Sequence, residues 1–219
     1  MSYQARWLVT GLVLATMLGC ANKEAPPQAY IQAIENLKIE APSFNVGLTK
    51  SPVRIGDTFV FDNPPEQWVV VSINQPFINW QSSTGDHMQT AWSTLLPPIR
   101  WGGDSSNISS GSRHLSNITG SFFPLKKGNQ VTFTEERISA RPAITHTAQW
   151  RCVVGDQNNI QVPAGKSNVW DIICTINGQE RILISYAENI GHYVRYAVET
   201  PNGLIIRQLT AYSRKKQAE

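Results

Sequence analysis

The sequence has little of what most catalytic or metal-binding sites are built from. It holds four histidines, His87, His114, His146 and His192, and no two fall in an HxxxH or HExxH spacing. A metal site made from them would need distant loops to converge. No GxSxG elbow is present, so Asp86-His87 and the serines of 105–112 read as loop residues rather than parts of a hydrolase. Glu135 and Glu136 are adjacent, and on a strand they point to opposite faces, which rules them out as a facing acid and base. The formal net charge of +3 is too small to argue for a nucleic-acid partner. No catalytic residue, metal or cofactor follows from these patterns, and the chain reads as non-enzymatic. The apolar run from Trp7 to Leu18, broken by Thr10, Gly11 and Thr16, would make a helix of about 18 Å, against the ~30 Å hydrocarbon core of a bilayer.

That run, behind a polar start carrying only Arg6, is a secretory signal pattern. Cysteine is scarce as well, with three in the chain, and one stands directly after the run in Met17-Leu18-Gly19-Cys20. This stretch resembles the bacterial lipobox, although Met17 replaces the usual leucine. The resemblance implies lipidation of Cys20, which becomes the N-terminus after residues 1–19 are removed. The alternative is a secreted protein with a chance cysteine. Ala21 stands where an aspartate would favour the inner membrane, which implies the periplasmic face of the outer membrane. More than one acyl chain gives stable anchoring. Loss of Arg6 leaves eighteen Lys plus Arg against sixteen Asp plus Glu. Cys152 and Cys174 then remain, and an even remainder in an oxidising compartment suggests one disulfide, the alternative being two buried thiols.

Residues 20–56 are rich in Pro, Lys, Glu and Asn and read as a tether. Pro27 could open a short helix there, with Tyr30, Ala33, Ile34 and Leu37 on one face. Residues 57–213 form the globular domain, and 214–219 a basic tail. From Asp57 onward, short β-branched and aromatic runs alternate with turn residues: Thr58-Phe61, Gln67-Ile73, Phe77-Gln81, Met88-Ser93, Ser116-Phe122, Gln130-Glu135, Thr147-Val154, Val169-Ile176, Arg181-Tyr186, Tyr193-Glu199 and Leu204-Tyr212. This predicts an all-β fold, an antiparallel β-sandwich or an open or half β-barrel. A three-residue loop at Ile176-Asn177-Gly178 would pair Ile172 with Ile182 and Trp170 with Ile184, keeping apolar faces together. Trp150 and Cys152 share one strand face, as do Trp170 and Cys174. Thr200-Pro201-Asn202-Gly203 has the chemistry of a type I turn.

Phe123-Pro124-Leu125-Lys126-Lys127-Gly128, Val162-Pro163-Ala164-Gly165, and Tyr186 with Gly191-His192-Tyr193-Val194-Arg195 resemble turn motifs of bacterial envelope proteins of the DUF3108-like kind. The likeness spans roughly residues 120–212, with Ala187-Glu188-Asn189 where the pattern carries Ala-Pro. It implies a β-rich periplasmic domain and transfers no catalytic residue.

Two features could support binding. Trp80, Trp92 and Trp101 lie near the Pro97-Pro98 turn, as a glycan platform or as core. The polar stretch 102–117 is expected to be a long loop. The leading functional expectation is a lipid-anchored envelope accessory, scaffold or binding module that meets a protein complex or cell-wall component. A periplasmic carrier with a hydrophobic ligand in a half-barrel cavity is the alternative.

Overall fold

Residues 53–91, 93–103, 110–140 and 143–215 are described in the computed structural model. The signal segment, Cys20 and the expected tether helix lie outside them. Twelve strands follow one another: β1 (Thr58–Phe61), β2 (Glu66–Asn74), β3 (Phe77–Ser82), β4 (His87–Ala91), β5 (Arg100–Gly102), β6 (Gly111–Gly120), β7 (Gln130–Ala140), β8 (Ala143–Val162), β9 (Gly165–Ile176), β10 (Glu180–Ala187), β11 (His192–Thr200) and β12 (Gly203–Ser213). Each pairs antiparallel with the next, and β12 returns to β1 from Thr58↔Ser213 to Phe61↔Leu209. The expected sandwich or half-barrel is therefore corrected to a closed barrel. Closure pairs both edges that an open sheet would leave bare.

Carboxylates fasten the seam. Asp57, fully buried, accepts the N–H groups of Arg54 (3.0 Å) and Lys215 (3.1 Å), and Asp62 accepts that of Gln208 at 2.6 Å.

Period-two alternation decides which side chains face inward. Phe59 and Phe61 of β1, Trp68 and Val70 of β2, Ile78 and Trp80 of β3, and Val131 and Phe133 of β7 are buried. Outward positions of β6 to β9 carry polar residues among them: Thr132 bonds Thr119, Thr134 bonds Gln149, and Thr175 donates to the Arg151 carbonyl, while Ile144 and Ile173 stand exposed on the same wall.

The β9–β10 loop has three residues, but they are Asn177-Gly178-Gln179. Asn177 and Gly178 take positive φ (51° and 74°), and the Gln179 N–H donates to Ile176 O at 3.0 Å. Ile182 thus opposes Cys174, and Ile184 opposes Ile172, two positions from the expected register on the same faces. The turn at 200–203 forms as expected, with Thr200 opposite Gly203. Cys152 and Cys174 are direct cross-strand partners joined by a disulfide, with Cα atoms 4.0 Å apart. Both are buried in a cluster with Val154, Ile172, Ile182 and Phe133.

The expected 102–117 loop is corrected: β6 begins at Gly111, and β5, which shows no apolar run, pairs on both sides. Before β5 the chain dips into the lumen. Leu95, Leu96 and Ile99 are buried there, held as the Ile99 N–H donates to Gln89 O (2.9 Å) and the Arg113 N–H to Ile99 O (2.8 Å). These three residues join the disulfide cluster, while Phe59, Trp68, Ile78 and Trp80 centre a second one.

Candidate ligand cavity

The two clusters do not meet everywhere. Between them the lumen holds a cavity of about 540 Å³, walled by Phe61, Trp68, Trp80, Trp101, Tyr193 and Tyr196, with Leu95 and Leu96 from the inward-dipping segment. Asn63 and Ile205, both exposed, stand at its mouth. Interiors are normally packed to crystal-like density with few voids larger than a water molecule. A space this size lies in the range of roughly 300–1,000 Å³ that holds small-molecule ligands.

Two ion pairs cross this otherwise apolar chamber. Arg113 Nε donates to Glu135 Oε1 at 2.6 Å, and its Nη1 to Pro98 O at 2.7 Å, while its guanidinium lies 4.5 Å from the centre of the Trp101 ring. Burial pushes the Arg113 pKa down, opposed by Glu135. Arg207 Nη2 donates to Glu66 Oε2 at 2.6 Å, the same oxygen accepts Trp68 Nε1 at 2.8 Å, and Arg207 covers the Phe61 ring at 4.5 Å. Tyr196 is the cross-strand partner of Arg207, and its ring lies 5.6 Å from that of Tyr193. Burial raises both phenols, Tyr196 to about 12, so both stay protonated.

His192 closes the chamber on the other side. Its ring sits 4.7 Å from Phe59, 5.5 Å from Trp80 and 4.4 Å from Tyr193. Burial lowers its pKa to about 4 against the pull of its hydrogen bond with the Tyr193 carbonyl, and Arg207 lowers it further. The imidazole is neutral at pH 7. Trp150 Nε1 and Arg207 Nε are sealed from solvent and from the cavity space, and make no hydrogen bond among the described residues.

Trp80 and Trp101 both line the cavity; Trp80 is buried and donates Nε1 to Thr90 Oγ1 at 3.0 Å. Trp92 and Cys20 lie outside the described residues. Glu135 is buried and Glu136 exposed, as their adjacency requires. No cluster of three or more metal-ligating side chains occurs among the described residues. Sequence reasoning missed Glu66, Arg113, Glu135, Tyr196 and Arg207. A signal was present for two of them: Glu135 shares strand parity with Val131 and Phe133, and Arg207 with Ile205 and Leu209.

No protein-family model matches the sequence, and no curated protein matches it. The DUF3108-like resemblance therefore rests on the turn motifs quoted for it. Among solved structures, the fold is similar to that of the hypothetical lipoprotein YmcC from Escherichia coli (K12), with a TM-score of 0.50 and 9% identity, over 77% of this chain and 88% of that one. A protein with YmcC-like fold from Bacteroides fragilis matches at a TM-score of 0.37 and 10% identity, over 74% of this chain and 98% of that one. At 9% identity the likeness to YmcC is one of fold.

Proposed function

We propose that the protein is a lipid-anchored envelope protein, held at the periplasmic face of the outer membrane through Cys20, whose barrel binds a small apolar molecule. The observation that carries the binding role is the cavity of about 540 Å³ kept open between two packed clusters. Small barrels ordinarily fill their interiors with side chains, and those that leave space enclose ligands. The lipobox-like stretch before Cys20, the DUF3108-like turns and the description of YmcC as a lipoprotein support the location. The domain plan read from the sequence, residues 20–56 as tether and 57–213 as the presented domain, belongs to this reading.

Two experiments test it. Protein purified natively from envelopes should carry a co-purifying small molecule detectable by native mass spectrometry, and the emptied barrel should take up the apolar fluorophore N-phenyl-1-naphthylamine. An emptied barrel that leaves the fluorophore's emission unchanged defeats the binding role. Cys20→Ser should lose incorporation of a palmitate analogue and move to the soluble fraction. Label retained on the variant defeats the anchor.

A scaffold role is the second reading, and the outer wall favours it. Val153, Ile173, Leu183, Ala197 and Ile206 are successive cross-strand partners from β8 to β12. Ile173 (48% exposed) and Ile206 (40%) stand open to solvent. Apolar stripes rimmed by polar rows mark interaction surfaces. A photo-crosslinker at Ile173 should capture a discrete envelope protein if this reading holds, and one at Thr132 should not.

A further inference from the structure

We infer that the tip of the β11–β12 hairpin seats in a lipid surface and so opens the mouth of the cavity onto hydrocarbon. The use of that opening rests on the ligand-binding reading, whereas the seating does not depend on what the cavity holds.

The tip projects past the seam of the barrel. β1 pairs with β12 only from Leu209 to Ser213, after which Asp62 and Asn63 reach the carbonyls of Gln208 and Ile206. From there to Gly203 the strand is paired with β11 alone. Three successive apolar residues stand open on this stretch: Leu204, Ile205 and Ile206 are 62%, 51% and 40% exposed. Ile205 also lines the cavity beside its cross-strand partner Val198, so the exposed apolar group is continuous with the wall of the chamber.

Successive strand residues point to opposite faces. A protein packed on one face of the hairpin would cover Leu204 and Ile206 and leave Ile205 aside, whereas a fluid apolar medium receives all three. Beyond Asn63 this edge of β12 has no strand partner, and unpaired backbone is too costly in the hydrocarbon core. The tip therefore stops at the headgroup and acyl boundary, a depth of about 5–10 Å. Glu199, the cross-strand partner of Leu204, is exposed and acidic, so the tip is drawn by hydrocarbon rather than by anionic headgroups.

The chain is long enough to let this happen beside its own anchor. The described residues begin at Val53, near the far end of β12, where Asp57 accepts the Lys215 amide. Strand geometry puts that end, at Ser213, about 26 Å from Ile205. Thirty-two residues separate Cys20 from Val53, and at up to about 3.3 Å each they span several times that distance. A lipid on Cys20 thus leaves the mouth free to return to the same membrane.

The test uses the full-length lipidated protein on phosphatidylcholine vesicles that carry a nitroxide-labelled lipid as quencher. With Cys152 and Cys174 bridged and Cys20 acylated, Leu204→Cys and Lys126→Cys each supply one thiol for an environment-sensitive nitrobenzoxadiazole dye. Lys126 is exposed in the β6–β7 loop, at the opposite end of the barrel. The dye at 204 should shift to the blue and be quenched severalfold more than the dye at 126. Adding Ile206→Ser should reduce that quenching and leave uptake of N-phenyl-1-naphthylamine by the emptied barrel unchanged. Equal quenching at the two sites overturns the inference, as does a blue shift at 204 that needs added envelope protein rather than lipid. Either result leaves the cavity reading standing, whereas a barrel that refuses the fluorophore removes that reading and leaves the seating measured at 204.

Discussion

Acid should weaken this barrel through one side chain. His192 is neutral in the fold, with its pKa lowered to about 4 because its ring is buried among Phe59, Phe61, Trp80 and Tyr193. In the unfolded chain the imidazole returns to an ordinary value near 6.5. Between these values the unfolded state binds the extra proton, so stability rises with pH across the window. The contribution is fully present above about pH 6.5 and is lost as pH falls toward 4. A difference of about 2.5 units at about 1.36 kcal/mol each gives roughly 3 kcal/mol. Urea unfolding at a series of pH values, for wild type and His192→Phe, isolates the term. Phenylalanine fits the ring cluster and cannot protonate, so the variant should lose about 3 kcal/mol less than wild type between pH 7 and pH 4. An imidazole NMR titration should place the His192 midpoint near 4. Parallel stability curves for the two proteins, or a midpoint near 6.5, would refute the assignment.

Three further outcomes follow from the packing. Cys152→Ala with Cys174→Ala removes a bridge spanning 22 residues, which should cost about 3 kcal/mol on the chain-entropy account and lower Tm by about 6–12 °C; differential scanning calorimetry reads it, and non-reduced peptide mass spectrometry checks the bridge. Glu135→Leu strands the buried Arg113 charge and should cost about 3–5 kcal/mol, while adding Arg113→Leu recovers much of the loss; a double-mutant cycle that shows no coupling contradicts the ion pair. Gly120 ends β6 at φ 81°, and a Cβ there would collide with the Gln130 carbonyl oxygen. Gly120→Ala should therefore destabilise by about 1–3 kcal/mol in urea unfolding.

The second half of the barrel is legible in the sequence because local turn chemistry fixes it. Thr200-Pro201-Asn202-Gly203 and Asn177-Gly178 mark the hairpins, although the β9–β10 register lies two positions from the expected one, and strand parity puts the two cysteines on apolar faces. Other features depend on contacts the local pattern does not contain. The strand read as Thr147-Val154 runs on through Asp156-Gln157-Asn158-Asn159 to Val162, with a bulge between Val154 and Gln157. The inward positions of β6 include Arg113, whose partner Glu135 lies on the next strand, so an apolar period is missing where a strand exists. Closure itself joins residues more than 140 apart in sequence, such as Gln208 with Asp62. The Trp80 and Trp101 positions were legible as a place of interest, but the charged half of the cavity was not, because an inward charge and a surface charge look alike until both partners are in place.

The pairing of β1 with β12 has a temporal side. All other strand pairs join sequence neighbours, β1 with β2 included, so those hairpins can form as the chain emerges, while the second edge of β1 must wait for the last strand to be made. Until then Phe59 and Phe61 have no β12 to cover them, and Asp57 lacks the Lys215 amide it accepts in the finished barrel. The protein's window of vulnerability to proteolysis and misassociation is thus set by the arrival of its C-terminal residues. Truncating the final strand should leave a chain with the hairpins from β1 to β11 but no seam.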